Sequence, residues 1–229
     1  MMKDIALLEK IIGVKFKKPE LLRQALVHRS YLNEHPDFEL EHNERLEFLG
    51  DAVLELAVTE FLYNKYDNPE GELTNWRASL VNAKMLADVS KDLGFEEYLY
   101  LSHGEAKDKG KARQYILANT FESVVGAIYL SNGLKAATNF IHRFLLVHLP
   151  IILENKLYID PKSNFQEAAQ EKEGVTPTYK VIEETGPDHA KHFVVAVCLG
   201  KVEVARGEGM SKQEAQTQAA QAALAVKKW

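Results

Sequence analysis

Apolar residues recur at helical spacing through most of the first two thirds of the chain. The pattern predicts helices over Leu21–Leu32, Leu46–Tyr63, Ala78–Leu93, Ile116–Leu130 and Ala136–Leu149. No alternating stretch of useful length interrupts them. The spacing therefore predicts an all-α domain over residues 1–155, with Pro150 closing its last long helix.

The grammar then changes. Lys156–Ser163 reads as a linker, with Asp160-Pro161 or Ser163 opening a short helix over Phe165–Glu173 that stops at Gly174. Thr178–Glu184, Phe193–Leu199 and Val202–Ala205 are strand-like and separated by turns at Gly186-Pro187-Asp188-His189 and at Gly200. Ser211–Val226 predicts a last helix with Ala215, Ala219, Ala222, Ala223 and Val226 on one face, small enough to lie close on a sheet. The expected fold class is thus multidomain: an all-α domain, then a small α+β domain of order α-β-β-β-α over residues 160–229.

Composition bounds the setting. At 229 residues and 46% apolar, the chain can bury one sizeable core or two modest ones. A single cysteine, Cys198, excludes an internal disulfide and fits a reducing compartment. The first residues lack the apolar core of a signal peptide and no run looks long enough to span a membrane, so a cytoplasmic protein with no membrane partner is expected. The net charge of −5 argues against a polyanionic partner, and division does not change this. Residues 160–229 hold 9 Lys+Arg against 10 Asp+Glu, and the remainder 19 against 23. Any nucleic-acid surface must be a local patch.

The most informative stretch is residues 42–54. Glu44, Glu47 and Asp51 recur at steps of three and four, so a helix puts all three on one face. Leu46, Phe48, Leu49, Val53, Leu54 and Leu56 are apolar on the other sides, and Arg45 projects elsewhere. Carboxylates in apolar surroundings are costly without a compensating cation, and no lysine stands at helical spacing to neutralise them. A divalent metal is the natural compensator; a solvated acidic face is the plainer alternative.

Asn43-Glu-Arg-Leu-Glu-Phe-Leu-Gly-Asp51 resembles the signature of the ribonuclease III family at every position. Leu22–Ser30, Gly71–Asn82 and Ile116–Leu130 resemble further segments of that family, and Gly186–Lys191, Gly207–Gly209 and Ser211–Ala215 resemble its double-stranded RNA-binding domain. The resemblance implies a Mg²⁺-dependent endoribonuclease, with Mn²⁺ able to substitute, that cuts double-stranded RNA but not DNA. It implies processing of ribosomal and messenger precursors to 5′-phosphate ends with short 3′ overhangs. It also implies a homodimer sharing one cleft, in which Phe48 or Leu49 packs across the two-fold interface.

For the site, the resemblance implies Glu47, Asn119 and Glu122 as metal ligands, with Asp51 holding water or moving a proton; Glu47, Asp51 and Glu122 form the catalytic set. Glu44 would orient the signature helix, contact RNA, or serve only as a structural ion pair. Asn119 stands where the family often carries aspartate, which subtracts one charge. The rival reading is therefore a duplex-RNA-binding protein with weakened catalysis. In the second domain the resemblance implies minor-groove contacts by Gln166, Glu167 and Gln170, a second contact at His189, and phosphate contacts by Ser211 and Lys212. The last contact is thin, since Gln213 and Gln216 occupy positions that often carry lysine.

Lys107, Lys109, Lys111 and Arg113 form an alternating basic run, either a solvated loop or a reach toward RNA phosphates. His28 is expected to be a hydrogen-bonded helical histidine, Trp76 and Trp229 packing residues, and Cys198 a small core residue.

Overall fold

The computed structural model describes residues 4–107, 110–187 and 191–229. It divides into two compact units, Met1–Tyr158 and Ile159–Trp229.

The first unit is helical: α1 (Ile5–Ile12), α2 (Pro19–Ala25), α3 (Arg29–Glu34), α4 (Glu44–Lys65), α5 (Glu70–Leu80), α6 (Ala83–Asp92), α7 (Phe95–Tyr98), α8 (His103–Lys107), α9 (Lys111–Asn132), α10 (Leu134–Phe144) and α11 (Leu149–Glu154). Helix α9 is apolar nearly all round, and Leu117, Phe121, Val124, Val125, Ala127 and Ile128 are fully buried. Such a helix forms the centre of a domain rather than its wall. Helix α4 lies against it through Leu46, Val53, Leu54, Ala57, Val58 and Leu62.

Where the two helices cross, each carries a glycine. A methyl group on Gly50 would overlap the backbone carbonyl of Glu122 and lie 2.9 Å from the amide of Gly126. One on Gly126 would overlap the carbonyl of Leu46. Both helices therefore approach backbone to backbone, closer than side chains allow elsewhere.

Several expected helices are broken in ways periodicity does not reveal. The stretch expected as Leu21–Leu32 is two helices, because Leu26 ends α2 and His28 caps α3 by accepting from the Ser30 amide. His28 is thus a capping residue rather than a residue inside a helix. The stretch expected as Ala78–Leu93 divides at Asn82, whose side chain caps α6 by accepting from the Met85 amide at 2.9 Å. Pro150 closes nothing: α10 ends at Phe144, a single 3-10 turn follows at Leu146–His148, and Pro150 sits in the first turn of α11. Proline is tolerated there because its missing N–H would have had no partner. The 21 residues Leu134–Glu154 do reach membrane-spanning length and apolarity, contrary to expectation. Here Ala137, Phe140, Ile141, Leu145, Leu149 and Ile152 pack into the core, while Leu134, Val147 and Ile151 are exposed.

In the second unit, α12 (Pro161–Glu173) is capped by Asp160, which accepts from the Ser163 amide at 3.0 Å. It is followed by β1 (Pro177–Thr185), β2 (His192–Leu199), β3 (Val202–Gly209) and α13 (Lys212–Lys227). The strands form an antiparallel sheet in the order β1-β2-β3. Strand β3 runs past the expected Ala205 to Gly209, so Arg206, Gly207 and Glu208 also pair with β2. Phe165, Ala169, Val197, Leu199, Ala219, Ala220 and Ala223 make the core, with Trp229 stacked on Phe165 at 5.6 Å. Ala215, Ala219 and Ala223 hold the expected face of α13, but Ala220 joins it and Val226 points outward.

Gly50→Ala is expected to lower stability by about 2–4 kcal/mol, because two backbones must separate to admit one methyl. Gly71→Ala, a helical position where the added methyl meets nothing within 4 Å, should be neutral or slightly stabilising. Thermal melting of the two variants checks the contrast.

Candidate catalytic carboxylates and nucleic-acid surface

Helix α4 starts from a tethered residue. The Asn43 amide donates to the Val27 carbonyl at 2.9 Å, its side chain donates to the Ala25 carbonyl at 3.2 Å, and its own carbonyl accepts from Ser123 Oγ at 3.3 Å. The first turn of α4 is thereby fixed to the α2–α3 junction, with the Ser123 hydroxyl, whose proton goes mainly to the Asn119 carbonyl, in contact from α9. Glu47 and Asp51 follow one turn apart and flank Gly50. Glu122 owns the carbonyl against which Gly50 packs, so the glycine crossing brings Glu122 to the α4 acids.

The electrostatics follow from that placement. Burial pushes the Glu122 carboxyl up to about 8, and the charges of Asp51 and Glu47 add to the shift. Glu47 is also raised, first by burial and then by Glu44; a hydrogen bond from the Asn119 side chain opposes this, and Asp51 adds to it. Among the described residues, no lysine, arginine or histidine forms an ion pair with Glu47, Asp51 or Glu122. Like charges are thus held in a half-buried setting without a counter-ion.

The apolar surroundings are less complete than the sequence suggests. Asp51 is exposed, and Phe48 and Leu56 are 83% and 54% exposed rather than packed around the acids. Among the described residues, no three His, Cys, Asp or Glu side chains close on one metal-sized point. Three like charges repel, and the fourth oxygen donor is the Asn119 amide. The donor set of hard oxygens suits Mg²⁺ or Mn²⁺ chemically.

Glu44, whose charge also acts on Glu47, differs from this group in having cationic neighbours. It faces Arg29 at 3.5 Å and His42 at 3.7 Å, both on the surface. Such an exposed pair is worth little to stability. Arg113, grouped in the sequence with Lys107, Lys109 and Lys111, is buried: it pairs with Glu96 at 3.5 Å and donates to the Glu105 carbonyl. It anchors the start of α9 and does not face solvent. Lys109 lies outside the described residues, while Lys107 and Lys111 are exposed.

In the second unit, Gln166, Glu167 and Gln170 are exposed on α12 and line one shallow depression together with Glu171. Ser211 caps α13, accepting from the Glu214 amide at 3.2 Å, and Glu214 returns by accepting from the Met210 amide at 2.9 Å. Lys212 lies 3.6 Å from Glu184 and over the Phe193 ring at 5.5 Å. His189 lies outside the described residues. Sequence reasoning missed Gly50, Gly126 and Asn43 as site-building residues. The available signal was a glycine in the middle of each of two long helical patterns, where glycine costs stability unless close approach requires it.

A family model described as Ribonuclease-III-like matches residues 18–149. The chain belongs to the ribonuclease III family. A second model, the double-stranded RNA binding motif, matches residues 161–227. Ribonuclease 3 of Wolinella succinogenes is 42% identical over 226 residues, covering 98% of this chain and 92% of that protein. Ribonuclease 3 of Streptococcus thermophilus is 42% identical over 220 residues, covering 95% of each chain. Among solved structures, the nuclease domain of ribonuclease III from Campylobacter jejuni, described with a flexible region involved in dimer formation, superimposes with a TM-score of 0.58 at 36% identity. That match covers 64% of this chain and 99% of the Campylobacter domain.

The raised Glu122 carboxyl makes the metal-free ribonuclease sensitive to pH. A folded-state value of about 8 lies above the usual carboxylate range, so the folded state holds this proton more tightly than the unfolded one. Its contribution is fully present below about pH 4 and is lost as pH rises toward 8. Glu122→Gln should therefore raise the metal-free melting temperature, by little at pH 5 and by most at pH 8. A gain independent of pH would contradict this origin.

Proposed function

We propose that this ribonuclease III is a metal-dependent endoribonuclease of double-stranded RNA. One observation carries the reading: Glu47, Asp51 and Glu122 lie near enough for their charges to act on one another, with no protein cation paired to them among the described residues, in a chain that also matches a double-stranded RNA binding motif. The reading as a binding protein weakened by Asn119 draws no support from relatives named Ribonuclease 3 that cover nearly the whole chain.

Glu47, Asn119 and Glu122 would hold a Mg²⁺ ion, for which Mn²⁺ could stand in. Bound there, the ion supplies charge relief on the scissile phosphate and makes water more acidic. Asn119 suits a double task. Its amide nitrogen serves Glu47, which leaves its carbonyl oxygen for the cation. Glu122 would give up its proton as the cation arrives, so that the buried carboxylate it becomes is compensated by the ion. Asp51, exposed beside them, would orient the attacking water or carry its proton. Gln166, Glu167, Gln170 and His189 would contact the minor groove, and Ser211 and Lys212 the phosphates. Ribosomal and messenger precursors are the proposed substrates, cut in the cytoplasm to 5′-phosphate products with short 3′ overhangs.

A homodimer is part of the same proposal. Phe48 is 83% exposed on α4 and lines a groove with Leu21, Leu46, Leu49 and Leu130, rimmed by Gln24, Glu41, His42, Glu44 and Arg45. A large aromatic ring standing in water beside leucines, with both signs of charge around them, suits a self-complementary interface. Sedimentation at micromolar concentration should give the dimer mass, and Phe48→Glu the monomer.

The direct test is incubation of the pure protein with labelled duplex RNA. Mg²⁺ or Mn²⁺ should support cleavage, EDTA should stop it, and single strands and DNA duplexes should survive. Intact duplex after prolonged incubation with excess protein in either metal would overturn the proposal.

Asn119→Asp tests the ligand set. It restores a negative charge at metal-ligand distance, where attraction is large even at an effective dielectric of about 20. The Mg²⁺ concentration for half-maximal rate should fall several-fold, while the metal-free fold, now with four acids, should melt earlier. An unchanged Mg²⁺ dependence would place Asn119 outside the ligand set.

A further inference from the structure

The first unit is acidic as a whole, yet two of its segments carry no acid at all. Residues 10–19 hold Lys10, Lys15, Lys17 and Lys18 without an aspartate or glutamate, and none occurs from Ser123 to Leu153. The fold brings these segments together. The Lys17 and Lys18 amides both donate to Ser131 Oγ, at 2.9 and 3.1 Å, and Asn132 Nδ2 donates to the Lys15 carbonyl at 3.0 Å. The stretch after α1 is thus tied to the end of α9, where α10 begins.

A recess of about 290 Å³ opens at this meeting, lined by Gly13, Lys15, Asn139 and Arg143 with the buried Ile12 and Phe140, and by no acid. Lys135, Asn139 and Arg143 recur at steps of four, so α10 presents them on one face. Gly13 is required twice: its backbone is left-handed, with φ at +69°, and a methyl on it would lie 2.5 Å from a guanidinium nitrogen of Arg143. That guanidinium otherwise meets the face of the Phe144 ring at 5.0 Å. Among the described residues, none of Lys15, Lys135 and Arg143 forms an ion pair. Two features oppose an anion here. Glu9 lies one turn before Gly13, its carboxylate accepting from the Phe16 amide at 2.7 Å, and α1 ends in carbonyls worth roughly half a negative charge. Three full cations outweigh them.

We propose that this recess binds a terminal phosphate group, carried by free phosphate, a mononucleotide or the 5′ end of an RNA strand. A pocket with an apolar floor admits the end of a molecule rather than a chain passing through. A terminal phosphate carries close to two negative charges near neutral pH, and so gains more from neighbouring cations than a diester does. The Arg143 fork can meet two phosphate oxygens at once, with Lys15 adding a point charge. The recess is separate from the carboxylates. Asn132 follows Glu122 by ten residues on α9, about 15 Å along the axis, which exceeds the screening length of about 10 Å at ordinary salt.

Isothermal titration of the whole 229-residue protein in EDTA tests the site without duplex RNA or metal, so its failure and that of the cleavage reading are distinct. The probes are inorganic phosphate, a nucleoside 5′-monophosphate, the bare nucleoside, and a short single-stranded RNA with either a 5′-phosphate or a 5′-hydroxyl. Phosphate-bearing probes should bind and the nucleoside should not. Arg143→Ala and Lys15→Ala should each weaken binding several-fold, and Arg143→Lys by less. Lys91→Ala, which removes a cation paired with Asp88 on α6, should change nothing. Both site residues are exposed, so the variants should fold, and thermal melting verifies it. Comparable binding of phosphate and mononucleotide would support a small-ligand site; binding gained only with the 5′-phosphate on RNA would support a reader of strand ends. Absence of heat from every phosphate-bearing probe at millimolar concentration would overturn the proposal. So would unchanged affinity in a folded Lys15→Ala/Arg143→Ala double variant.

Discussion

The backbone contact between Gly50 and Gly126 ties the fold of the first unit to its chemistry. With side chains at those positions, α4 and α9 would stand at the ordinary separation of packed helices, about 8–10 Å between axes. Glu122 would then retreat from Glu47 and Asp51, since its own carbonyl is what Gly50 packs against. Glycine inside a helix costs roughly 1 kcal/mol relative to alanine. That cost is offset by the apolar surface of α9, which is buried along most of its length. Polar side chains on the buried helix are satisfied locally: Thr120 donates to the Ile116 carbonyl at 2.7 Å, and Ser123 to the Asn119 carbonyl at 2.7 Å.

The same contact creates an electrostatic burden. Glu122 is held where ionisation is unfavourable, and the shift to about 8 measures how poorly the protein alone compensates it. Asn119 relieves part of the strain by donating to Glu47 and by not being a fourth acid. A carboxylate there would draw a cation more strongly but would load the metal-free fold with more repulsion. On the proposed ligand set, the asparagine shifts the balance from metal affinity toward stability of the unliganded protein.

Much of this was legible in the sequence, and the failures have particular causes. The steps of three and four between Glu44, Glu47 and Asp51 do place them along one helix, and the asparagine substitution is visible by inspection. The breaks at Leu26–His28 and at Asn82 are not visible in periodicity, because the apolar pattern continues straight across them; only the capping side chains of His28 and Asn82 mark the ends. Arg113 looked like a member of a basic run because alternation in sequence says nothing about which residue an incoming helix buries. The β1 register slip is equally silent in sequence, yet it decides that Glu184 rather than Glu183 meets α13.

The two units solve opposite electrostatic problems with the same residue types. In the first, Glu47, Asp51 and Glu122 have no cationic partner among the described residues; in the second, Glu184 lies beside lysines in water, where screening makes each pair weak. A polyanion approaching the first unit meets unpaired acids, and repulsion persists until a cation intervenes. On the proposed reading, the affinity of the metal-free chain for RNA falls to the second unit, whose own composition is net acidic. What counts there is not the sum of charges but their placement, since only charges within about 10 Å of the phosphates at ordinary salt act on them strongly.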